Sequence, residues 1–141
     1  MRAVLDTVIF VRALINPKGR WGRLLFDHAG RYVIVLSPEI VREVLEVIHR
    51  PELHERFPEM AEPTRIDLVL SRLEDAKIVE PNERVTVCRD PNDDKFFDCA
   101  LAGAADYIVS EDKDILTVEE YRGTRTVSAS EFLSVILPSE E

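Results

Sequence analysis

Four acidic side chains, Asp6, Glu43, Asp94 and Asp112, stand where apolar runs end or where the helices that follow them begin. Asp6 closes Arg2-Ala3-Val4-Leu5, and Asp112 follows Tyr107-Ile108-Val109-Ser110. Glu43 lies on a helix opened by Ser37-Pro38, and Asp94 starts the helical stretch Asp94-Lys95-Phe96-Phe97-Asp98. In an open α/β sheet the ligand binds beyond the carboxyl ends of the strands. Carboxylates gathered there repel one another unless a cation lies among them, and hard oxygen ligands select Mg2+ or Mn2+. The pattern therefore favours metal-dependent chemistry on phosphate. Asp98, one helical turn past Asp94, shares its face and is a further candidate ligand. Asp93 competes with Asp94 for the same register. Asp94 is preferred because Phe96, Phe97, Ala100 and Leu101 then follow it as a buried stripe. Asp114 reads as a cap of the turn before Ile115.

The elements that position these groups are expected to alternate. Arg2 to Leu5 and Tyr32 to Leu36 are short apolar runs of the kind buried in a parallel sheet. Val8 to Ile15 reads as a helix capped by Asp6 or Thr7 and stopped by Asn16-Pro17. Trp21 to His28 reads as a second helix. Ser37-Pro38 pairs an N-cap with proline at the first helical position, and Ile40, Val41, Val44, Leu45 and Ile48 recur at helical spacing. Pro51 is expected to end that helix. Thr64 to Ala76 reads as another helix, Lys77 to Val79 as a strand and Val85 to Val87 as an extended run. Asp94 to Ala105 is expected to be helical, Asp106 to Ser110 and Thr124 to Val127 to be strands, and Ser130 to cap a last helix through Ile136. Strands alternating with helices over short loops imply a three-layer α/β/α sandwich around a central, mainly parallel sheet.

The 141 residues suit one domain, expected over residues 1–137, with a frayed tail at 138–141. An apolar fraction of 45% supports a core. No membrane span or signal-peptide h-region is visible, so cytoplasmic residence is the expectation. Cys88 and Cys99 lack metal or redox spacing and read as reduced thiols. A net charge of −9 argues against a generic nucleic-acid binder. The charge is uneven, however: residues 1–30 carry Arg2, Arg12, Lys18, Arg20 and Arg23 against Asp6 and Asp27. Such a local basic stretch, Arg12 included, is a candidate contact for substrate phosphate. The chain lacks Gly-x-Gly-x-x-Gly and Gly-Lys-Ser/Thr patterns, which disfavours dinucleotide and P-loop binding.

Val4-Leu5-Asp6-Thr7, the helical Glu43, Asp93-Asp94-Lys95-Phe96 running into Ala100-Leu101-Ala102, and Ala105 to Asp114 together resemble the PIN domain family. The likeness extends from Arg2 to about Leu133 and is strongest to the single-domain toxin components of toxin–antitoxin pairs. It implies an acidic pocket at the strands' carboxyl ends and divalent-metal-dependent endoribonuclease activity, with Mg2+ or Mn2+ as cofactor. Position by position, it implies that Asp6, Glu43, Asp94 and Asp112 are catalytic. Asp6, Asp94 and Asp112 would hold metal, and Thr7 and Ser110 would lie beside the site; Asp98 is added by its helical spacing from Asp94 alone. RNA as substrate, an antitoxin partner and a homodimer are further implications. Two positions depart from the family pattern: Val8 replaces a frequent Asn, and Glu111 replaces a frequent Gly. A competing reading is a PIN-like binding module with little or no hydrolysis.

Overall fold

A computed structural model describes residues 1–137; the expected tail at 138–141 lies outside them. Six strands form one sheet in the order β3-β2-β1-β4-β6-β5. They are β1 (Arg2–Leu5), β2 (Val33–Leu36), β3 (Lys77–Ile78), β4 (Tyr107–Val109), β5 (Glu120–Tyr121) and β6 (Thr124–Val127). All pairings are parallel except the hairpin of β5 with β6. Ala3, Val4 and Leu5 are all fully buried. Successive strand residues point to opposite faces, so burial of three in a row means that both faces of the central strand are covered. The expected mainly parallel α/β sandwich is what forms.

The covering helices are α1 (Thr7–Ile15), α2 (Arg20–Gly22), α3 (Pro38–Ile48), α4 (Pro51–Arg56), α5 (Pro63–Asp75), α6 (Asp94–Ala102), α7 (Lys113–Leu116) and α8 (Ala129–Ile136). The Asp6 side chain caps α1 by accepting from the Val8 N–H, and Ser37 caps α3 by accepting from Ile40 N–H. Helix α3 buries Ile40, Val44 and Ile48 of the expected stripe, while Val41 is half-buried and Leu45 exposed. Helix α6 packs on β1, β2 and β4, and α1 packs on α3 and α5. No helix among the described residues is long and apolar enough to cross a membrane.

Four local expectations change. Trp21 to His28 is not one α-helix: α2 runs into a π-helical turn, Arg23–Asp27, and then a 3-10 turn, Ala29–Arg31. Pro51 does not merely stop α3; it occupies the first position of α4, where its missing N–H costs nothing. The last helix is capped by Ser128 rather than Ser130, in a capping box with Glu131. Val85 to Val87 joins no strand; its backbone is held instead by side chains of α6, as described below.

Candidate active site

The sheet order reverses at its centre: β2 and β3 lie to one side of β1, and β4, β6 and β5 to the other. Ligand sites in open α/β sheets form beyond the strand ends at such a point. Asp6 leaves the end of β1 there, its N–H donating to Val109 O of β4 at 3.0 Å. Its side chain is 6% exposed and accepts from Ser110 Oγ at 2.7 Å and from Val8 N–H at 3.3 Å. Ser110 Oγ in turn accepts from the Asp112 N–H at 3.0 Å. The ends of the two central strands are thus tied together through one buried hydroxyl.

Around this junction opens a cleft of about 490 Å³ whose lining includes Asp6, Thr7, Arg12, Glu43, Asp93, Lys95 and Asp112. Thr7 Oγ1 donates to Glu43 Oε2 at 2.6 Å, which fixes the α3 carboxylate against the start of α1. The other Glu43 oxygen pairs with Lys95 Nζ at 3.1 Å. Lys95 Nζ also donates to Asn92 O at 2.9 Å, and its side chain is only 14% exposed. An ammonium is therefore built into one wall of an acidic cleft.

The carboxylates of Asp93, Asp112 and Asp114 each place an oxygen within 4.8 Å of the others. Asp93 Oδ2 is buried and has no hydrogen-bond partner among the described residues. Burial, with Asp112, Asp90 and Asp6 nearby, pushes the Asp93 carboxyl up to about 7. Burial also raises Asp6, opposed by its bonds from Ser110 and Val8 and reinforced by Asp112 and Glu43. A buried oxygen without a donor, among carboxylates that disfavour one another's charge, fits a hard divalent cation. Asp93, Asp112 and Asp114 are the acids grouped closely enough to share a divalent cation, with Asp6 beside them.

The structure assigns the two acids of α6 elsewhere. Asp94 is 8% exposed, and its Oδ1 accepts from the N–H groups of Cys88 at 2.8 Å and Val87 at 3.0 Å. Asp98 Oδ1 accepts from Val85 N–H at 2.7 Å, and its Oδ2 lies 3.5 Å from Arg84. Both line a separate hollow with Glu39, Arg84 and Pro91. One helical turn apart on one face, they act as a pair of clamps on segment 85–88, as the shared-face argument requires but toward a different object. Asp93 precedes α6, so its side chain leaves in another direction and enters the cleft.

Other sequence candidates also find partners. Thr7 and Ser110 orient Glu43 and Asp6. The turn cap is Asp112, which accepts from Asp114 N–H at 2.8 Å, and Asp114 joins the acidic group instead. Glu111 accepts from Trp21 Nε1 at 3.2 Å and from Ala129 N–H at 3.1 Å, so its charge serves packing of the loop. Val8 is 39% exposed and lines the cleft beside Val11, Val47 and Leu53. Lys95 stood within the sequence motif without a role of its own; a contact across the fold, to Glu43 on α3, makes it part of the site. Cys88 and Cys99 are free and buried, and burial pushes each thiol up to about 12.

Comparison with known proteins agrees with this architecture. A PIN domain family model matches residues 2–114. An uncharacterized protein of Methanocaldococcus jannaschii is 32% identical over 122 residues, covering 85% of this chain and 76% of that protein. The crystal structure of PAE2754 from Pyrobaculum aerophilum superposes with a TM-score of 0.62 at 12% identity, over 96% of this chain and 95% of the other. VapBC2 of Rickettsia felis, solved bound to a DNA fragment from its promoter, gives a TM-score of 0.58 at 17% identity over 91% and 98%. The matched family model, spanning β1, the cleft and the Asp112 to Asp114 turn, establishes that the chain belongs to the PIN domain family.

Proposed function

We propose that this chain is a divalent-metal-dependent endoribonuclease and the toxin half of a toxin–antitoxin pair. The observation that carries the nuclease reading is the unpartnered, buried Asp93 Oδ2 in a cleft shared with Asp6, Glu43 and Asp112. Family membership supports phosphodiester hydrolysis, and the likeness to VapBC2 supports an antitoxin partner. Asp6, Asp93 and Asp112 hold Mg2+ or Mn2+, with Asp114 completing the acidic group; Asp93 takes the place that the sequence pattern gives to Asp94. A divalent ion held there would supply Lewis acidity toward the scissile phosphate and the attacking water. Ser110 holds Asp6 in one orientation, and Thr7 does the same for Glu43. Glu43, with one oxygen fixed by Thr7, accepts the proton of the attacking water. That role requires Lys95 to swing from Glu43 to a phosphate oxygen when RNA enters, which frees the carboxylate and places a cation on the substrate.

A binding module without hydrolysis is the second reading. Its support is the apolar wall of Val8, Val11, Val47 and Leu53 in the cleft, together with a Glu43 already neutralised by Lys95. Incubation of the chain with a mixed single-stranded RNA pool in Mg2+, Mn2+ or EDTA separates the two. Cleavage that needs metal and is lost in both Asp6→Asn and Asp93→Asn is the expected result. Folded, antitoxin-free protein that leaves the pool intact under every condition refutes the nuclease in favour of the module.

A further inference from the structure

The cleft has a basic shoulder built around one indole. Trp21 is the sole tryptophan of the chain. The Arg12 guanidinium carbon lies 4.8 Å from its ring centroid, and that of Arg20 lies 5.5 Å away. Arg20 Nη1 also donates to Ser130 Oγ at 2.9 Å. Both arginines are exposed, while Trp21 is half-buried. The indole N–H is fixed by Glu111, the residue directly before Asp112, and Arg12 itself lines the cleft. The shoulder and the acidic group are therefore joined through adjacent residues of one loop.

The backbone beneath packs closely on itself. A Cβ on Gly22 would fall 1.9 Å from Pro17 O, so the turn from Pro17 to Gly22 closes tightly only because this position is glycine. That turn sets the direction in which Arg20 and Trp21 leave the surface.

We propose that Arg12 and Arg20, held over Trp21, form a phosphate-binding platform that leads a single-stranded RNA into the acidic cleft, with Trp21 as the positioning residue. This rests on the nuclease reading and names the surface by which the substrate arrives. A guanidinium stacked on an aromatic ring keeps its planar fork of donors free and loses little further freedom on binding phosphate. In a chain of net charge −9, two cations on one indole, one of them lining the acidic cleft, offset the repulsion that a polyanion would otherwise meet. An acidic protein segment is the competing occupant. RNA is favoured because Arg12 shares its cleft with the carboxylates that would hold a metal and the scissile phosphate, whereas those carboxylates repel an acidic peptide.

The test is binding of a fluorescein-labelled single-stranded 12-mer of mixed sequence to the Asp6→Asn chain in Mg2+, read by anisotropy across a salt series. Each of Arg12→Gln and Arg20→Gln is expected to weaken binding several-fold and to lower the slope of log K against log salt by about 0.7. Trp21→Leu is expected to weaken binding while leaving the slope unchanged, since both charges remain; simple loss of fold, followed by circular dichroism, would remove binding altogether. Lys77→Gln on the edge strand β3 should change neither quantity. In the wild-type shoulder, Trp21 emission should respond to RNA, and in the Arg12→Gln/Arg20→Gln variant it should not. An unaltered salt slope in that double variant overturns the platform, as does stronger binding of polyglutamate than of RNA. Metal-dependent cleavage with unchanged kcat/KM in the double variant would leave the nuclease standing and the platform refuted. RNA binding through the shoulder without cleavage by the wild-type chain would do the reverse.

Discussion

Replacing Asp93 by Asn separates a metal-binding acid from a structural one, because the two roles predict opposite changes in stability. The Asp93 carboxyl rises from an ordinary 3.8 to about 7, with burial as the largest cause and Asp112, Asp90 and Asp6 as the next. A raised carboxyl means that the folded state holds its proton more tightly than the unfolded chain. Stability from this group is therefore intact below about pH 4, declines as pH rises toward 7, and is flat above. At about 1.4 kcal/mol per unit, a shift of roughly three units has a ceiling of about 4 kcal/mol. Solvent reaches much of the residue, and screening reduces the cost to about 1–2 kcal/mol. In EDTA at pH 8, Asp93→Asn should thus exceed the wild type in stability by about 1–2 kcal/mol, or roughly 3–7 °C in Tm. At pH 4 the difference should vanish. Thermal melts followed by circular dichroism at both pH values, repeated with Mn2+, provide the assay. With Mn2+ at about 100 times its Kd, the wild type should gain about 2.7 kcal/mol and the variant far less. A variant less stable than the wild type at pH 8, or equal Mn2+ stabilisation of both, would refute the assignment.

Asp94→Ala should behave in the opposite way. It strands the Val87 and Cys88 N–H groups, so a loss of about 2–3 kcal/mol in urea unfolding is expected, with cleavage per folded molecule within a few-fold of wild type. Lys95→Met removes the cation paired with Glu43; Mn2+ affinity measured by calorimetry should rise, while cleavage falls roughly 10- to 100-fold. Glu111→Ala leaves Trp21 Nε1 and Ala129 N–H without their acceptor and should cost about 1–2 kcal/mol, with a red shift in tryptophan emission. Glu111→Gln keeps the acceptor and should restore most of both.

Much of this protein is written locally. The caps Asp6 and Ser37, the proline after Ser37 and the Ile40, Val44, Ile48 stripe fix α1 and α3 through interactions within a few residues. Apolar runs long enough for a buried strand mark β1, β2 and β4, and their alternation with helices dictates a parallel sheet. The carboxylates Asp6 and Asp112 were legible for the same reason, since the end of a strand is a local fact. The π-helical turn at Arg23–Asp27 and the helix begun by Pro51 were not, because tertiary packing overrides propensity in such short segments.

What the tertiary structure alone decided is which acid of a neighbouring pair meets the cleft. Asp93 and Asp94 are chemically identical, and periodicity could rank them only by the apolar stripe that follows. The folded chain brings the backbone of residues 85–88 against one face of α6, where unpaired N–H groups demand acceptors. Asp94 and Asp98 supply these, and Asp93 is left with an oxygen that no described residue satisfies. The same holds for Lys95 with Glu43 and for Arg12 with Trp21: sequence supplies the charges, but only long-range packing sets which of them come within reach. A pairing across many residues has no periodic trace in the chain, because it depends on where whole elements dock and not on their internal spacing.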